Sequence, residues 1–303
     1  MSSRKLSIET ARNRRRAVSA SLTKPTSLLI INICRRKSED KTIVIFWGIL
    51  FVVLCVSVAL GGLLLVRRLV PLHLRESANT VTGIIYGATY VLYGITLAFS
   101  LYLANQEANE ARETVEREAG SLEGLYEIAQ QYPQLQRNRI QELVESYARL
   151  VTDEEWPLME RGQENQAIPQ AEEALDELQS TVVDYVPDTS AEQALYSEGI
   201  TLALDVEDHR EVRLLHSRQD SHRLLWHVLV SGGAITVLLS LFFGTKVVWL
   251  QGLSVAALTT VVVLLLSATY QLQAPFAGSV RIEPEAFEEV LGDIQRLQRA
   301  ESY

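Results

Sequence analysis

Val81–Leu103 reads VTGIIYGATYVLYGITLAFSLYL, twenty-three residues without a charge. At about 1.5 Å per residue such a helix crosses the ~30 Å hydrocarbon core of a bilayer. Three further runs, Ile43–Val66, Leu224–Gly244 and Val247–Tyr270, are equally free of Asp, Glu, Lys and Arg, and His227 is their one histidine. A buried helix of a soluble protein rarely stays so clean for so long. The chain is therefore expected to be an all-α integral membrane protein. Its four transmembrane helices pair as two hairpins, with a helical bundle inserted between them.

Within the quoted run, Thr82, Tyr86, Thr89, Tyr93, Thr96 and Ser100 are spaced 4, 3, 4, 3, 4. That spacing places six hydroxyls on one helix face. Gly83 and Gly87 form a GxxxG pair, and Gly94 follows one heptad after Gly87. Glycines let helices approach closely and hydroxyls bond across the seam, so a tight helix–helix interface is the commoner outcome. The functional alternative is a pore wall, where hydroxyls replace part of an ion's hydration.

Charge divides the chain outside the spans. Residues 1–42 hold eleven Lys/Arg against three acids, whereas 104–221 holds nine Arg against twenty-seven Asp/Glu, a balance of −18. Twelve Lys/Arg near span ends lie on the side of the termini and insert, including Arg112, Arg117, Arg210, Arg213 and Arg281. Only Arg67, Arg68, Arg75 and Lys246 lie on the other. Cationic flanks resist translocation, so both termini and the insert are expected in the cytoplasm. Trp47, Tyr102, Trp226 and Tyr270 then mark the inner interface and Trp249 the outer. The first 42 residues read as a disordered basic tail on anionic lipid rather than a transit peptide, since no cleavage site is marked.

The domains follow as 1–42 tail, 43–103 first hairpin, 104–221 acidic helical insert, 222–272 second hairpin, and 273–303 a turn with a C-terminal helix. In the insert, Ala108, Ala111, Val115, Leu122, Leu125 and Ala129 continue the second span as an apolar stripe that Pro133 ends. A second helix starts near Gln134, with Ile140, Leu143, Val144, Tyr147, Leu150 and Val151 inward. A third runs from Pro169 to Val186. A fourth starts after Asp188 or Thr189 as cap and continues through Leu195, Ile200, Leu204, Leu214 and Leu215 into the third span.

Glu118 interrupts the stripe. A wide surface groove would leave it solvated, which is the commoner case; a buried carboxylate would have to be paired, bonded or protonated. Asp205, Asp208, His209, His216 and His222 read as a solvated face rather than a metal site, because no Glu-x-x-His pair partners them. Cys34 and Cys55 imply no disulfide framework. No phosphate-binding loop, nucleophile elbow or zinc pair appears, so neither an enzyme nor a cofactor is expected.

The order of parts resembles bestrophins, and the motifs are similar to those of a bestrophin-like bacterial membrane family of unknown function. The resemblance rests on Asn79 with Gly83, Glu118-Ala119 before Leu125-Tyr126, and Tyr147 leading to Glu155-Trp156-Pro157, Met159 and Gly162. It continues in Pro275-Phe276-Ala277-Gly278, Val280 and Pro284. It implies a homo-oligomer, a pentamer on the bestrophin pattern, in a bacterial plasma membrane. It also implies an ion channel whose second span lines the pore with Thr82, Tyr86, Thr89, Tyr93 and Thr96. Two departures stand against a full transfer: the stripe is hydroxylic where bestrophin necks are apolar, and no acidic calcium clasp follows Phe276. Membrane lipid and inorganic ions are the expected partners, and nucleic acid is not. The competing reading is a non-conducting anchor whose acidic bundle docks a cytosolic protein.

Overall fold

The computed structural model describes residues 24–162, 167–217, 223–277 and 281–301. All regular structure among them is helical: α1 (Lys24–Leu69), α2 (Leu72–Ala129), α3 (Gln134–Leu150), a π-helical turn (Val151–Glu155), α4 (Trp156–Glu160), α5 (Pro169–Val183), α6 (Ser190–Ser217), α7 (Arg223–Leu241), α8 (Val248–Leu272) and α9 (Glu285–Glu301). Among the described residues, four helices are long and apolar enough to cross a membrane: Phe46–Leu69, Leu72–Ala129, Leu224–Leu241 and Val248–Leu272.

The chain divides into Met1–Cys55 and Val56–Tyr303. In the first unit the described residues are helical from Lys24 onward, and residues 1–23 of the expected basic tail lie outside the described ones. No Gly or Pro occurs between Pro25 and Gly48, so nothing in that stretch stops a helix once it has started.

The second unit has two packed regions. In the apolar one, Ala59 and Leu63 of α1 meet Leu241 and Val255, while Tyr93 and Leu97 of α2 meet Leu229 and Val262. In the other, α2, α3, α5, α6 and α9 enclose a core that includes Leu122, Leu125, Tyr147, Leu178, Val206, Phe287 and Ile294. Removal of apolar side chains from water drives that bundle, whereas the spans must rely on shape and polar contacts.

One helix serves both regions. α2 has 58 residues without a break, about 87 Å at the usual rise. The expected run-through from the second span into the insert is therefore present. The matching run-through from α6 into α7 falls on residues 218–222, outside the described ones. α6 opens with a capping box: Thr189 Oγ1 accepts the Glu192 amide at 3.2 Å, and Glu192 Oε2 accepts the Asp188 amide at 2.8 Å.

The buried face of α6 is made of small and charged residues rather than leucines. Its buried residues are Gly199, Ala203, Val206, Arg210, Arg213 and Ser217, whereas Leu204 and Leu215 are exposed. Close packing explains part of this. A Cβ on Gly199 would lie 2.5 Å from Tyr132 Oη and 3.3 Å from Val182, so small residues are what this seam admits.

Candidate functional site

Glu118 lies in the buried stripe of α2 between Val115 and Leu122, and is itself fully buried. The solvated-groove reading is thus overturned: α6 covers the groove and supplies the counter-charge. Arg213 Nε donates to Glu118 Oε2 at 2.6 Å, and Nη2 donates to Oε1 at 3.0 Å. Tyr147 of α3 donates its hydroxyl to Glu118 Oε1 at 2.7 Å.

The second carboxylate comes from the π turn. Trp156 N–H reaches back five residues to Val151 O, and this wider turn presents Glu155 and Trp156, neighbours in sequence, to the interior together. Glu155 Oε2 accepts Arg213 Nη2 at 2.9 Å; Oε1 accepts Arg210 Nη2 at 2.6 Å and the Ile168 amide at 3.3 Å. Gly162, with φ of 61°, then turns the chain where a side chain would be strained.

Aromatic rings enclose the cluster. The Arg213 guanidinium carbon is 5.9 Å from the Trp156 ring centre and 5.8 Å from that of Phe287, within cation–π range. Arg213 Nη1 donates to Met159 Sδ at 3.4 Å. Phe276 meets Trp156 edge-on at 5.6 Å, held by a turn in which the Ile282 amide donates to Pro275 O at 2.7 Å. Gly278, the end of the Pro-Phe-x-Gly motif, lies outside the described residues.

Two carboxylates and two guanidiniums make a formally neutral set, and neutrality is what permits its burial. Burial opposes the charge on Arg213, but Glu118, Tyr147 and Glu155 together outweigh it and hold the guanidinium more firmly protonated than in water. Burial first, and the Glu118 charge second, push the Tyr147 phenol well above its ordinary range, so it remains a donor.

The motif residues Glu118, Tyr147, Glu155, Trp156, Met159, Pro275 and Phe276 therefore converge on one place. Sequence reasoning missed Arg210 and Arg213, which it counted only as flanking cations. A signal existed: residues 199, 203, 206, 210, 213 and 217 repeat at 4, 3, 4, 3, 4, and the two arginines continue a stripe of small residues.

The span residues divide. Tyr93 and Ser100 are buried within the protomer, Thr82, Tyr86 and Thr89 are half-buried, and Thr96 is exposed. Thr96 and Ser100 give their hydroxyl protons to carbonyls one turn back on α2. Tyr86 meets Phe243 edge-on at 5.5 Å. Within the span, α2 is approached closely by glycines of α7 that the sequence reading did not single out: a Cβ on Gly232 or Gly233 would lie 2.8 Å from the Tyr93 ring or hydroxyl. Gly83 has only Phe243 nearby, and a Cβ on Gly87 or Gly94 would meet nothing within 4 Å.

Asn79 forms a reciprocal pair with Gly244, donating to its carbonyl at 2.7 Å and accepting its amide at 2.8 Å. Beside it Arg67 donates to Gln251 Oε1 and Thr245 O, and Gln251 donates to Phe243 O at 2.7 Å. Asp205, Asp208, His209 and His216 take part in no group of three metal-binding side chains among the described residues; His222 lies outside them.

The domain model for bestrophin-like proteins matches residues 53–287. The chain belongs to the bestrophin-like family, and with its four apolar helices it is an integral membrane protein. A crystal structure of a bacterial bestrophin homologue from Klebsiella pneumoniae, bearing a point mutation, superposes with a TM-score of 0.62. The match covers 82% of this chain and 99% of that one, at 9% identity, so the likeness is one of fold. No curated protein matches the chain.

Proposed function

We propose that the protein is an oligomeric bestrophin-like ion channel, with α2 nearest the oligomer axis and the bundle as a cytoplasmic vestibule. The observation that carries the reading is the uncovered side of α2. A Cβ on Gly87 or Gly94 would meet nothing within 4 Å among the described residues and Thr96 is exposed, so one helix offers both close-approach and hydroxylic surface to neighbouring copies. The spans bury only 11 to 28% of their most apolar stretches internally, which leaves ample surface for other copies and lipid.

In this reading the four spans pair as two hairpins in a bacterial inner membrane, with both termini cytoplasmic. Thr89 and Thr96 are the wall residues of choice, with Tyr86 and Thr82 at its edge. Tyr93 and Ser100 instead serve packing. The −18 balance over residues 104–221 would concentrate cations at a vestibule, so conduction should favour them.

The scaffold reading draws on one observation: part of the hydroxyl stripe is buried between helices, as an anchor requires. Purified protein in planar bilayers separates the two. Cation-selective reversal potentials that change with Thr96→Val support the channel. Flux at background level from an intact oligomer supports the scaffold, and a clear chloride preference refutes the electrostatic argument.

A further inference from the structure

Arg75, in the first turn of α2, is only 5% exposed, yet its Nε and Nη1 have no acceptor among the described residues. The nearby Arg67 is engaged with Gln251 and Thr245 and offers no acceptor. A guanidinium does not lose its proton in proteins, so a buried one calls for an anion.

Beside Arg75 is a cavity of about 230 Å³. Leu74, Ala78 and Ile85 line it along three turns of α2, Leu239 of α7 and Phe242 just after that helix line it from the other side, and Thr82 adds a hydroxyl. A small aqueous anion would not choose walls so apolar. An amphiphile with an anionic head would, because the planar fork of arginine matches phosphate oxygens and the walls match hydrocarbon.

We propose that this cavity binds a membrane phospholipid, its phosphate diester on Arg75 and the first part of its acyl chains between α2 and α7. The proposal rests on the membrane placement of the chain and is independent of whether it conducts.

The test uses full-length protein stripped of lipid in mild detergent, with Tm read against three additions: dioleoylphosphatidylglycerol, dioleoylglycerol and inorganic phosphate. The phospholipid should raise Tm by several degrees, and the other two should not. Arg75→Met should lose the response, as should Ala78→Phe, which fills the cavity without touching the charge. Arg75→Met should also match or exceed the lipid-free Tm of the natural protein, since it removes an unpaired charge. If Arg75→Met does not fold, Ala78→Phe decides. An equal phospholipid response in all three proteins, or an equal response to dioleoylglycerol, would overturn the site. A full response to inorganic phosphate would replace the lipid by a free oxyanion. A lipid-free Tm lowered by Arg75→Met, with no lipid response in the natural protein, would assign the counter-ion to another protein copy and overturn the lipid.

Discussion

Arg213 of α6 and Glu118 of α2, ninety-five positions apart in the chain, form a two-bond ion pair at 2.6 and 3.0 Å with both side chains fully buried. It joins the helix that runs on from the membrane to the last helix of the insert. Glu155 on the same guanidinium ties in the π turn as well.

Removing one partner of such a pair strands the other. Glu118→Ala or Arg213→Met should each cost about 3–5 kcal/mol. Glu118→Leu combined with Arg213→Met should cost clearly less than the sum of the single changes. Thermal melts of the four proteins in one detergent test this, and simple additivity would deny the coupling.

Tyr147 gives a pH signature. Its folded pKa lies well above the unfolded value near 10, so its contribution is complete below about pH 10 and is lost as pH rises toward the folded value. Natural protein should lose stability above pH 10 more steeply than Tyr147→Phe, which carries no proton there. Tyr147→Phe should also cost about 1–3 kcal/mol at neutral pH by removing a hydrogen bond to a charged group. Parallel slopes above pH 10 would contradict the assignment.

Asn79 and Gly244 should differ in sensitivity. Asn79→Ala removes two hydrogen bonds, a loss of about 1–3 kcal/mol. Gly244→Ala would set a Cβ 2.6 Å from backbone atoms of Arg75 and Glu76, which cannot swing aside. It should therefore be the worse of the two, measured as yield of monodisperse protein and Tm.

The α2–α7 seam predicts a rescue. Gly233→Ala should destabilise, because its Cβ would lie 2.8 Å from Tyr93 Oη and 3.1 Å from Val262. Adding Tyr93→Phe removes that oxygen and should restore part of the loss. A pair of changes that simply add would show that the ring is not what limits the approach.

Orientation is tested by labelling. Leu135 is 80% exposed on the bundle. With Cys34 and Cys55 replaced, a cysteine at 135 should stay unlabelled by an impermeant thiol reagent in intact cells and label after lysis. Labelling from outside would invert the topology.

Local rules made the helices legible. Absence of charge over some twenty residues marks a span, Pro133 and Pro169 punctuate the insert, and the α2 stripe could be followed in the sequence through both regions. The motif residues were also visible one by one. Their convergence was not, since periodicity says which face a residue occupies and not what meets that face. Glu118 in an apolar stripe fits a solvated groove as well as an ion pair; only the packing of α6 decides.

The sequence alone thus determined the membrane class, the all-helical build and the family resemblance, because these depend on composition and short-range spacing. The tertiary structure alone decided that Arg210 and Arg213 face inward, that Gly232 and Gly233 receive Tyr93, and that Arg75 is buried with Nε and Nη1 unmet among the described residues. Each depends on contacts between distant segments, and a charge or glycine in sequence carries the same letter whether it meets water, lipid or another helix.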